Sequence, residues 1–158
     1  MSIATALLLA GAALPAADRA AIDSRVQGIF RTYTLPPNPT PVWDQPIFSA
    51  ETAALIAHWK RVQPADEPDA LNDGDWFCLS QDYDQKGFTA TPTPARRLGA
   101  GVAEVRVRVN LGFGQTRDER IVLKKGPGGA WLVDDLFARP DFPQGLKAKL
   151  RQTIAEDE

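Results

Sequence analysis

The chain has little of what most cofactor and redox chemistry needs: its 158 residues include one cysteine, Cys78, and one histidine, His58. A single thiol excludes an intramolecular disulfide, and with a lone histidine it cannot make a structural zinc site of the Cys/His kind. A basic excess is also missing. Eighteen Lys plus Arg against twenty Asp plus Glu leave a formal charge of -2, which argues against a phosphate-backbone partner and hence against nucleic acid. No phosphate-binding loop is present, because the Gly112, Phe113, Gly114 run falls in a hairpin rather than before a helix, and Ser, His and Asp form no nucleophile motif. Nor is there an unbroken, strongly apolar run of the roughly 20 residues that a stable membrane span requires. What is present is an ordinary globular composition, 44% apolar and 24% charged, sufficient to bury a core within a single domain, residues 18–158.

Residues 1–17 carry no charged side chain, and the stretch from Ile3 to Leu14 is apolar and followed by Pro15, Ala16 and Ala17. This pattern predicts a secretory signal peptide cleaved near Ala16 and Ala17, and a periplasmic or secreted protein. In an oxidising compartment a lone thiol is buried or pairs with another molecule. The neighbours of Cys78, which are Trp76, Phe77 and Leu79, favour burial.

Apolar residues at Ile22, Val26, Ile29, Phe30 and Tyr33 recur at helical spacing, predicting a first helix capped by Asp18. Five prolines between Pro36 and Pro46 then impose an extended connection, with Trp43 as its anchor. Ser49 is a good cap for a second helix through Gln63, carrying Leu55, Ile56, Trp59 and Val62 on one face, with His58 beside that stripe as a packed or surface residue. The period then changes to two. Trp76 to Tyr83 reads as a strand, Val102 to Phe113 alternates with Val105, Val107, Val109, Leu111 and Phe113 on one face, Gln115 to Glu119 belongs to a hairpin loop, and Arg120 to Lys125 and Trp131 to Phe137 follow as strands. Leu146, Leu150 and Ile154 mark a short C-terminal helix. Helices ahead of an antiparallel meander predict an α+β domain with the N-terminal helices packed on one face of a curved sheet.

Seven acids and no Lys or Arg lie between Val62 and Gln85. A calcium loop centred on Gly74 fails, because Leu71 and Ser80 occupy two of its ligand positions, so the run reads as a solvated acidic loop and no metal or other cofactor is expected. Strand alternation places Asp82 with Trp76 and Cys78, and Asp135 with Trp131 and Phe137. A carboxylate on an apolar face must pair or rise in pKa. Either the two acids line a pocket and one serves as general acid or base with Tyr83 nearby, or each is locked by Arg97, Arg106 or Arg108. On the other strand face Arg106, Arg108, Arg117, Arg120, Lys124 and Lys125 make a basic ribbon, suited to an acidic protein or anionic head groups.

Four segments taken together, GDWFCLSQDYD at 74–84, VAEVRVRV at 102–109, WLVDDLF at 131–137 and FPQGLKAKLRQTI at 142–154, resemble the bacterial exported proteins of the domain of unknown function 3828 family. Those proteins are similar to the nuclear-transport-factor-like, cystatin-like cone superfamily. The resemblance rests on Gln81, Asp82, Trp131 and Asp135, and implies a curved sheet with a helical lid and an envelope location. It implies no established activity, since that superfamily holds isomerases, dehydratases and pure binding modules. The candidate ligand or interaction residues are therefore Trp76, Gln81, Asp82, Asp84, Arg97, Trp131 and Asp135. The expected function is an exported binding or protein-interaction module for a protein or small molecule, an inhibitor or immunity-type protein being one form. The alternatives are a small pocket enzyme, an isomerase, dehydratase or hydrolase using Asp82, Asp135 and Tyr83, and a homodimer formed through the sheet.

Overall fold

The computed structural model describes residues 13–36, 40–63, 69, 71–78 and 82–157. Most of the expected signal peptide, residues 1–12, lies outside them, as does Gln81. Helix α1, Ala16–Arg31, buries Ile22, Val26, Ile29 and Phe30, a stripe at helical spacing. It starts three residues earlier than a cap at Asp18 implies, with Pro15 at the capping position. Asp18 therefore lies inside the first turn and is not the cap. Its carboxylate instead accepts from Lys125 Nζ at 2.7 Å and Trp131 Nε1 at 3.1 Å, tying the helix to the sheet. A 3-10 turn at Thr32–Thr34 carries Tyr33 into the core. In the connection that follows, Val42–Asp44 makes a second 3-10 turn and half-buried Trp43 packs edge-on against Trp59.

Helix α2, Ala50–Val62, is capped as its sequence predicts, Ser49 Oγ accepting from Thr52 N at 3.4 Å. Five strands follow: β1 Phe88–Pro92, β2 Arg96–Gly99, β3 Val102–Leu111, β4 Thr116–Lys125 and β5 Trp131–Ala138. They form one antiparallel sheet in the order β1-β3-β4-β5, with β2 pairing the other end of the same β3 edge that β1 pairs. Helix α3, Leu146–Asp157, closes the described chain and packs on α2 and β5. The fold is thus α+β, with three α-helices and an open five-stranded sheet among the described residues.

Alternation along β3 sends Ala103, Val105, Val107, Val109 and Leu111 inward, beneath the helices, and Arg106 and Arg108 outward. Ile121 and Leu123 of β4 continue the inner face. Against it lies a run of contacting rings in which Trp76 touches Trp43, Phe48, Trp59 and Phe142 at centroid distances of 5.6 to 6.4 Å. Cys78 is buried, as its neighbours suggest.

Other sequence expectations change as well. Trp76 to Cys78 form a turn rather than a strand, because Asp75 Oδ1 accepts from the amides of Phe77 and Cys78 at 2.9 and 3.1 Å and bends the chain. Asp82 to Asp84 are likewise not strand, and residues 79–81 lie outside the described ones. Phe113 is not inward but 57% exposed, since β3 ends at Leu111 and Gly112 turns the chain at φ +90°. Finally, β5 contains a bulge: Val122 pairs Asp135 while the next residue, Leu123, pairs Val133, leaving Asp134 as an extra residue. The inner face of β5 is consequently Trp131, Val133, Leu136 and Ala138, and Asp135 and Phe137 do not share a face with Trp131.

Candidate functional site

The acids singled out in the sequence are not brought together. Asp84 N donates to Leu111 O, which anchors Asp82 to Asp84 at the far end of β3. Asp135 pairs Val122, which in turn pairs Glu104 near the opposite end of β3. At about 3.3 Å per strand residue these ends put the two carboxylates roughly 20 Å apart. Asp82 and Arg97 are both exposed, with Arg97 Nε donating to Gly99 O at 3.3 Å. Tyr83 is half-buried and packs edge-on against Tyr33 and Phe88; burial, then the nearby Cys78 and Asp75, push its hydroxyl pKa up. Asp84 closes a turn, accepting from the Lys86 amide at 3.1 Å. Trp76 and Trp131 belong to the core, their indole N–H groups donating to Leu71 O and Asp18 respectively.

Asp135 is locked, but by backbone rather than by arginine. Its Oδ1 accepts from Leu136 N at 2.9 Å and Lys147 N at 3.1 Å, so the carboxylate sits at the start of α3. Burial pushes its pKa up, against the opposing pull of those two amides. Gly145 makes this approach feasible: at φ +99° a Cβ there would lie 2.8 Å from Asp135 Oδ2. Its neighbour Asp134 turns to the helices, where Ser49 Oγ donates to it at 2.7 Å and Lys147 Nζ at 2.9 Å. Burial raises the Asp134 pKa, yet Ser49 and Lys147 together outweigh it and hold the group below its usual value.

A buried polar group lies where the sequence pattern reads as a hairpin loop. Glu119 lies on the inner face of β4, 2% exposed, and among the described residues neither carboxyl oxygen has a hydrogen-bond partner. Burial, reinforced by Asp75 and opposed by Arg117, pushes its pKa to about 9, so it is a neutral acid at pH 7. Nearby, the Tyr33 hydroxyl donates to Asp75 Oδ1, and burial followed by that carboxylate pushes the phenol well above its usual range. Glu119 shares parity with Ile121 and Leu123 on β4, which is the signal that could have found it. Among the described residues no group of three or more His, Cys, Asp or Glu converges as a metal ion would need.

The opposite sheet face is left bare by the helices and holds an open groove of about 740 Å³. Three consecutive residues from each of four strand segments line it, 91–93, 106–108, 118–120 and 137–139, so it runs across the strands. Pro92, Phe137 and Pro143 give it apolar walls, and Arg106, Arg108, Arg120 and Arg139 give it positive charge. Arg108 is engaged by Asp118 at 2.8 and 2.9 Å, a fork that holds the Asp118 pKa down. Deeper in the sheet Glu104, 5% exposed, accepts both Nε and a terminal nitrogen of Arg96 at 3.0 and 2.8 Å and lies 3.5 Å from Arg120. Of the basic ribbon read from the sequence, Arg106, Arg108 and Arg120 line this trough and Arg139 joins them, whereas Arg117 and Lys124 are not in its lining and Lys125 turns to Asp18 of α1; the β5 bulge brings Phe137 to it. No family model, curated protein or solved structure matches the chain.

Proposed function

We propose that the chain is an exported binding or protein-interaction module that takes an anionic partner on the bare face of its sheet. One observation carries this: a basic, open trough of about 740 Å³ with apolar walls on the face the helices do not cover. The enzyme alternative has less support, because Asp82 and Asp135 stand at opposite ends of the sheet and Asp135 is taken up by the start of α3. The resemblance to exported domain of unknown function 3828 proteins, and through them to the nuclear-transport-factor-like cone, belongs to the same proposal. Its support is the element order, two helices ahead of an antiparallel sheet and one behind. Among the described residues no helix is long and apolar enough to cross a membrane. Cleavage after Ala17 would remove the first two residues of α1 and buried Leu14 while keeping Asp18 with its ties to Lys125 and Trp131.

The test is quantitative crosslinking in the envelope fraction of the native host, comparing wild type with an Arg106→Glu, Arg139→Glu variant whose thermal melt matches. A partner crosslinked by wild type and lost from the variant, weakening as salt rises, is the expected result. Equal crosslinking by both proteins would remove the trough from the function. Mass measurement of the mature N-terminus in that fraction checks export, and an intact Met1 would refute cleavage.

A further inference from the structure

Arg106 and Arg120 face each other directly across β3 and β4. Like charges in such a cross-strand pair repel one another, and Arg120 is held in place rather than free to turn away. Its guanidinium lies 3.6 Å from the Phe137 ring centroid and 3.5 Å from Glu104, whose other oxygen is occupied by Arg96. Arg106 is exposed and, among the described residues, has no ion pair, and the same holds for Arg139 at the end of the trough. The surrounding charges are otherwise matched: Arg108 with Asp118, Arg96 with Glu104. An excess of positive charge is therefore concentrated on one cross-strand pair, beside one aromatic ring.

We propose that the trough takes an extended acidic segment of a partner protein, laid across the strands, with one carboxylate between Arg106 and Arg120 and an apolar side chain against Phe137. This rests on the binding function proposed above. Arginine forks match the planar carboxylate, and Arg120, already oriented by Phe137, loses little freedom on binding. The length agrees as well: four strands at about 4.8 Å spacing span about 14 Å, the reach of roughly four extended residues. A bilayer surface is too flat to enter a trough, and a polyanion such as nucleic acid would meet a chain of net charge -2. A short acidic peptide with an apolar residue between its acids fits both the charge and the walls.

The experiment is an NMR titration of ¹⁵N-labelled protein, following backbone amides and arginine Nε–H signals. The probes are the pentapeptide acetyl-Glu-Phe-Glu-Leu-Glu-amide, its counterpart with Gln for each Glu, sodium acetate and inorganic phosphate. The expected result is saturable shifts at Arg106, Arg120 and Phe137 with the acidic peptide. Affinity should fall about tenfold for the Gln peptide and for the exposed-site variant Arg106→Gln, shown folded by its unchanged remaining spectrum. If acetate or phosphate moves the arginine signals but the peptide binds no tighter than they do, the trough binds anions and the peptide proposal fails. If no probe moves those signals, the trough itself is not a binding site and both proposals fail. Equal peptide binding by Arg106→Gln would likewise overturn the arginine pair as its determinant.

Discussion

Replacing Glu119 by glutamine should remove a steep pH dependence from folding stability. In the unfolded chain this carboxyl titrates near its ordinary 4.5, and in the fold it titrates near 9, chiefly because it is buried and secondarily because Asp75 lies close, with Arg117 opposing. Between those values the native state binds a proton that the unfolded chain has released. Stability is therefore fully present below pH 4.5 and is lost as pH rises toward 9, at about 1.4 kcal/mol per pH unit. By pH 7 the loss is about 3 kcal/mol, a sizeable part of the roughly 5–15 kcal/mol that holds a domain together. Tyr33 does not contribute there, since its phenol titrates above its usual range. Asp134 and Lys147 titrate in both proteins and cancel in the difference. Urea unfolding of wild type and Glu119→Gln at pH 5, 6, 7 and 8 measures the effect. The curves should be closest at pH 5 and separate steadily, the variant being more stable by several kcal/mol at pH 8. Parallel curves would refute the buried, unpartnered carboxyl. A companion variant, Glu119→Leu, removes the orphaned oxygens altogether and should be more stable than wild type at pH 7 by about 1–3 kcal/mol, with an unchanged denaturant slope.

Gly145→Ala should destabilise by about 2 kcal/mol or more, because its φ of +99° disfavours any side chain and the new methyl would press on the Asp135 carboxylate. Thermal melts check this, and a melt within a degree of wild type would show that the α3 start tolerates the intrusion. On the acid side, Asp134 is held below its ordinary 3.8 by Ser49 and Lys147 in spite of burial, so its contribution is present above that value and is lost as pH falls through the lower folded one. Lys147→Met should therefore be less stable than wild type at pH 7, with the gap narrowing below pH 4; a gap independent of pH would rule out the charge pair as its source.

Much of the sheet was legible because period-two patterning is unambiguous where one face is buried. The valines at 105, 107 and 109 with Arg106 and Arg108 between them announce β3, and the glycines from Gly126 to Gly129 announce the turn that follows β4. Strands β1 and β2 fall in a stretch to which the sequence pattern assigns no element, with Pro92 at the end of one and Pro94 between them. On an edge strand proline is tolerated, because one side of the strand pairs nothing. The turn at Trp76 to Cys78 was hidden by its own hydrophobicity: aromatic residues look like a buried strand whether the chain is extended or folded back, and the decisive bonds come from Asp75. Glu119 is masked in the sequence for a simpler reason. Its polar neighbours from Gln115 onward read as a hairpin loop, which starts the predicted β4 one residue too late to count the acid with Ile121 and Leu123. The basic trough was half visible, its arginines in plain alternation but its aromatic wall assigned to the wrong face.

The extra residue at Asp134 acts on β5 as a change of phase. Upstream of it the odd-numbered residues face the core, and downstream the even-numbered ones do. Were the same sequence to run through this point without the bulge, strict alternation would carry Phe137 and Asp135 into the core and turn Leu136 and Ala138 out into the trough. The arginine opposite Phe137 would lose its ring, and α3 would lose the carboxylate at its start. Losing Asp134 itself would, by contrast, leave Leu136 and Ala138 on the core side and remove only the partner of Ser49 and Lys147, so in this strand a one-residue deletion at the bulge is milder than a two-residue one.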